Sequence, residues 1–141
     1  MKLALASDPL QFIKLEDDYL WVDEFQWQPR QLASEYSVRG ALLLDENASA
    51  KQSGRPITLQ PPDSSMAWIR RSDLKILHTW MTTVGLRLRL VFEYSADTRT
   101  FLVIPRPGEN MPLDAKPIKG FPGYENGDWY QATIKLTEVE P

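Results

Sequence analysis

His78 is the only histidine, and the chain holds no cysteine. A Ser–His–Asp triad would have to use His78, and no Gly-x-Ser-x-Gly elbow accompanies it. A histidine-built metal site would need ligand partners that the sequence does not supply. Carboxylates gather at Glu16-Asp17-Asp18 and at Asp23-Glu24. Paired carboxylates can hydrolyse glycosides, but only when they converge in a cleft at a fixed separation. Adjacent acids with no glycine at the required offset do not form a calcium loop. Gly54-Arg55-Pro56 lacks the lysine and repeated glycines of a phosphate loop. The sequence therefore implies no catalytic residue, cofactor or metal, and the expectation is a protein that is not an enzyme.

Arginine offers a different chemistry. Arg70-Arg71 and Arg87-x-Arg89 can form a basic patch, and a guanidinium pairs bidentately with carboxylates on a neighbouring chain. A solvated sheet face is the competing reading of the same residues. The five tryptophans sharpen the first reading, because aromatic residues and arginine are enriched at interface centres. Charge is also segregated along the chain. Residues 1–48 hold 4 basic and 9 acidic side chains, residues 49–107 hold 9 and 4, and residues 108–141 hold 3 and 6. Such segregation can build complementary faces through which copies meet. The candidate interface residues are Arg55, Arg70, Arg71, Arg87 and Arg89 on the basic side. Asp17, Asp18, Asp23 and Glu24 are those on the acidic side. The net charge of −3 is a poor footprint for nucleic acid, and no run reaches the ~18 apolar residues of a spanning helix. The opening LALA is too short for a signal-peptide core and is followed by Asp8, so it reads as a strand.

The elements that must position these side chains are mostly strands. A length of 141 residues fits one β-rich domain over 1–141. KLAL and LQFIKL read as short strands. DDYLWVDEFQW alternates Leu20 and Val22 against Tyr19, Trp21 and Asp23. SEYSVRGALLL carries Tyr36, Val38, Gly40, Leu42 and Leu44 at period two and reads as one strand. The polar stretch 45–55 is expected to be a mobile loop that orders on assembly. PITL is a strand ended by QPPDSS, whose prolines remove ladder donors. Ser72 is placed to cap a helix carrying Leu74, Leu77, Met81 and Val84 on one face, with Gly85 as its stop. LRLRLVFEY turns Leu86, Leu88, Leu90, Phe92 and Tyr94 inward and Arg87, Arg89 outward. SADT returns the chain into RTFLVIP. LDAKPI is an edge segment, and DWYQATIKLTEVE closes the chain with Tyr130, Ala132, Ile134 and Leu136 on the buried side. The expected fold class is mainly β (α+β): a β-barrel or β-sandwich of about seven strands with one α-helix packed on it.

The order YSVRGALLL, GRPITLQ, MAWIRRSDLKILHTWM, LRLRLVFEY and YQATIKLTEV resembles small tail-tip proteins of long-tailed bacteriophages, around the distal tail protein. The matching positions are Gly54 to Leu59, then Trp68, then Tyr130, Ile134 and Leu136, within residues 36–140. The resemblance implies a structural virion protein at the tail tip or baseplate, made in the host cytoplasm. It implies partners of two kinds: further copies of itself in a symmetric ring such as a hexamer, and other tail proteins. No membrane and no direct nucleic-acid recognition is expected. A ligand- or carbohydrate-binding β-sandwich module is the alternative.

Overall fold

The computed structural model describes residues 1–46, 53–108, 111–121 and 124–140. Its strands in chain order are β1 (Lys2–Leu5), β2 (Phe12–Lys14), β3 (Leu20–Trp21), β4 (Leu32–Tyr36), β5 (Leu42–Glu46) and β6 (Pro56–Gln60). After β7 (Trp68–Arg70) comes the helix α1 (Arg71–Thr82), then β8 (Leu88–Val91), β9 (Thr100–Pro105), β10 (Leu113–Pro117) and β11 (Trp129–Glu138). The fold is thus mainly β with one helix, as composition and periodicity imply. The described residues form eleven strands rather than about seven. The excess comes from very short strands and from one hairpin. Nine strands form an open antiparallel sheet in the order β2-β1-β8-β9-β11-β6-β3, with β7 and β10 also paired to β11.

β11 organises this sheet. Its ten residues alternate, so that Tyr130, Ala132, Ile134 and Leu136 are all buried. It pairs with β10 and β7 along its first half and with β9 and β6 along its second. β8 obeys the same period-two rule: Leu88 and Leu90 are buried while Arg89 is exposed. Leu3, Ile13, Leu15, Ile57, Leu59 and Val103 complete the same core.

The helix begins one residue before the expected cap. Arg70, still extended, occupies the N-cap position and makes no side-chain capping bond. The orphan first-turn N–H groups find backbone acceptors instead. Arg71 N donates to the Asp128 carbonyl at 2.8 Å, and Ser72 N donates to that of Asn126 at 3.2 Å. A neighbouring loop therefore does the work of a serine cap. Leu77 is fully buried, and Leu74, Trp80 and Met81 pack against the core. Val84 lies past the helix end and is fully exposed, so it is not part of the packed face. The helix stops earlier than expected: extended Thr83 is its C-cap and donates to the Trp80 carbonyl, so Gly85, at φ +78°, turns the chain only after the helix has ended.

The largest departure concerns residues 32–46. SEYSVRGALLL is not one strand. It folds back on itself as β4 and β5, a separate two-stranded sheet. The turn is closed by Gly40 N donating to Ser37 O at 2.9 Å and Ala41 N donating to Ser37 Oγ at 3.0 Å. Gly40 itself sits at φ +83°, where a side chain is strained. Of the expected loop 45–55, Asp45 and Glu46 belong to β5. Residues 47–52 lie outside the described residues.

Because Leu77 contributes the helix's fully buried side chain, Leu77→Ala is expected to cost about 2–5 kcal/mol in chemical denaturation. A loss below about 0.5 kcal/mol would contradict the packing described.

Candidate functional site

The acidic candidates are spent largely inside the molecule. Asp23 is buried and accepts from Thr58 N and Thr58 Oγ1, both at 2.9 Å. Arg106 completes the cluster, donating to Thr58 Oγ1 at 2.6 Å and to the Asp23 carboxylate at 3.4 Å. Glu24 pairs with Arg99 at 2.7 Å. Asp18 is exposed but accepts from Ala67 N at 3.1 Å, and Asp17 accepts from the Met1 amine at 3.3 Å.

Two basic candidates are similarly engaged. Arg55 donates to the Glu24 carbonyl at 2.8 Å and lies over the Trp21 ring at 4.6 Å. Arg71 donates to Tyr130 Oη at 2.8 Å. Arg70 is exposed and stacks on Trp129 at 4.9 Å. Arg87 and Arg89 are exposed, as strand alternation predicts, and Arg87 reaches the Glu140 carbonyl at 3.1 Å.

Arg99 was not singled out by sequence, yet it joins the most elaborate of these contacts. It bridges Glu24 and Asp97 and lies within 5.7 Å of the ring centres of Trp21, Phe92 and Phe101. Those rings pack in stacked and edge-on pairs, 5.5 to 5.9 Å apart. Hydrogen bonds from the Arg99 side chain and backbone hold the Asp97 carboxyl below its ordinary range. Bonds to Asp97 and Glu24 hold the Arg99 guanidinium more firmly protonated.

Among the described residues, two strand surfaces leave both charged and apolar side chains exposed. The first is the β4–β5 hairpin, every strand residue of which is exposed. Its register puts Leu32, Ser34, Tyr36, Leu42, Leu44 and Glu46 on one face, and Ala33, Glu35, Leu43 and Asp45 on the other. The hairpin is therefore amphipathic. Leu32, Tyr36, Leu42 and Leu44 are 50 to 72% exposed, and Val38 projects from the turn. Arg30 anchors its foot to Glu46 at 2.7 Å. The second surface is the outer side of β2, β1, β8 and β9. There Lys14, Lys2 and Val91 stand in one row, and Phe12, Ala4, Arg89 and Leu102 in the next. The carboxylate bound there is Glu93, paired with Lys2 at 3.0 Å.

His78 is exposed and borders a groove of about 330 Å³ between α1 and β10, lined also by Leu74, Met111 and Leu113. Among the described residues no three His, Cys, Asp or Glu side chains gather to hold a metal ion, and no helix is long and apolar enough to cross a membrane. Comparison with protein-family models, curated proteins and solved structures gives no match.

Asp23→Ala would leave the Thr58 N–H and the Arg106 guanidinium without their shared acceptor. A loss of about 1–3 kcal/mol of stability is expected in urea denaturation, and no measurable loss would contradict the network. The Asp97 contribution to stability is present above the ordinary aspartate value, roughly 3.9, and is lost as pH falls through the depressed folded value. Carboxyl NMR should therefore place the Asp97 midpoint below the ordinary value and return it upward in Arg99→Gln. An ordinary midpoint in the parent chain would refute the pairing.

Proposed function

We propose that this chain is a structural subunit of a larger assembly, of the kind that builds the tail tip of long-tailed bacteriophages, rather than a catalyst. The observation that carries the proposal is the projecting β4–β5 hairpin. A two-stranded hairpin is marginal on its own in water, and a contiguous exposed apolar face marks an interaction site. An exposed Leu32, Tyr36, Leu42 and Leu44 face makes sense on a protein that works by association. The sequence resemblance supplies the more specific setting: a symmetric ring at the tip or baseplate of the tail, in contact with other tail proteins. With that role goes a sheet that curls toward a barrel or sandwich. Support comes from β11, which passes from one pair of neighbours to another along its length, as strands do in a coiled sheet.

The carbohydrate-binding alternative draws on one feature. Trp68 and Trp129 lie 6.2 Å apart, and Tyr124 and Phe121 are exposed aromatic rings. Arg70 and Arg71, however, already stack on Trp129 and Tyr124, which favours a protein-facing or self-contained use of these rings.

Sedimentation velocity at rising protein concentration tests the proposal. Species larger than the 16.2 kDa monomer should grow in with concentration and diminish as salt is raised, since exposed charges are screened within about 8 Å at physiological ionic strength. A monomer throughout the range at low salt would count against self-assembly.

A further inference from the structure

The hairpin and the free edge of the large sheet match one another on both faces. β2 ends the strand order, so its outer edge carries no ladder partner among the described residues. One side of β2 carries the exposed Lys14 and Phe12, and Lys2, paired to Glu93, stands next to Lys14 on β1. The other side is apolar, with Ile13 buried. The hairpin has the complementary composition. Glu35 and Asp45 share one face with Ala33 and Leu43, and Leu32, Tyr36, Leu42 and Leu44 share the other with Ser34 and the Arg30-paired Glu46. Neither Glu35 nor Asp45 has an ion pair among the described residues.

We propose that the β4–β5 hairpin of one copy adds to the β2 edge of a second copy, extending its sheet in a head-to-tail contact. In that pairing Glu35 and Asp45 continue the face that bears Lys14, Lys2 and Arg89, and the leucines and Tyr36 continue the face that bears Ile13. Main-chain hydrogen bonds between strands supply affinity, and the alternate side chains set the sense in which the strand docks. The occupant is a second copy because the charge complement lies on this chain itself: Glu35 and Asp45 on one face of the arm, Lys14 on the edge strand with Arg89 on the same sheet face. Cross-strand opposite charges stabilise such a pair, and like charges oppose it. An arm on each subunit and an edge on each subunit make the contact heterologous, so successive copies form a closed ring or an open filament. This inference rests on the self-assembly reading above, but it fails separately.

Charge exchange tests it. Glu35→Lys with Asp45→Lys reverses the arm. Lys14→Glu with Arg89→Glu reverses the exposed cations of the sheet face that ends at this edge. All four positions are exposed, and far-UV circular dichroism checks that each variant remains folded. In sedimentation velocity at low salt, each variant alone should associate at least about ten-fold more weakly than the parent chain. Mixing the two variants should restore association, because each arm then meets an edge of opposite sign. The chain carrying all four substitutions should also associate again. Parent-like association of the arm-reversed variant, or a mixture as weak as its components, would overturn the arm-to-edge contact while leaving self-assembly intact. A parent chain that stays monomeric would overturn both the contact and self-assembly. Assembly with other tail proteins would then decide the tail reading by itself.

Discussion

The alternation along β11 is the constraint on which the rest of the structure depends. Four neighbours hydrogen-bond to this one strand, and its buried side is set by Tyr130, Ala132, Ile134 and Leu136. A slip of one residue would turn all four outward and carry β6, β7, β9 and β10 with them. The position of α1 follows from the same strand. β7 pairs with Trp129 to Gln131 and leads straight into the helix, whose first N–H groups then meet the loop just before β11. The sheet's far end follows by succession through β9, β8 and β1 to the short β2 edge.

Charge follows a less obvious rule. Along the sequence, an acidic first third precedes a basic middle, an arrangement that suggests opposite faces. In the folded chain many of those charges meet each other instead. Arg106 and Thr58 hold Asp23, Arg99 holds Glu24, and Arg55 packs on Trp21 while bonding to the Glu24 backbone. Intramolecular neutralisation of this kind leaves a remainder of exposed charges. It includes Lys14, Arg87 and Arg89 on the sheet, Glu35, Arg39 and Asp45 on the hairpin, and Glu16 and Lys116. Any electrostatic steering of one copy by another must draw on that remainder, which is exposed and therefore screened by salt.

Much of the main sheet was legible because burial on one face writes a period-two pattern into the chain. β2, β8, β9 and β11 all carry it, and so does the outward placement of Arg87 and Arg89. The hairpin defeated the same signal for a geometric reason. Tyr36 and Leu42 are directly opposed across the turn and six positions apart. An even step keeps the alternation in phase, so the pattern runs through the turn unbroken. Ser37 and Gly40 were the available clue, as polar and glycine positions that close the turn. β7 escaped notice because three residues between a proline break and a helix are too few to show a period. The fate of the acidic candidates was not legible at all. The partners of Asp23 and Glu24 lie 35, 83 and 75 positions away, and no local pattern records contacts of that range.

The central claim is that the chain divides into a self-sufficient sheet centred on β11 and an arm completed by another molecule. Amide hydrogen exchange at two protein concentrations measures that division directly. The β11 amides should be slow to exchange when the chain is dilute and when it is concentrated. The β4 and β5 amides should exchange quickly in the dilute chain and become protected on concentration. An arm already as protected as β11 in the dilute chain, or one whose exchange ignores concentration, would contradict the account.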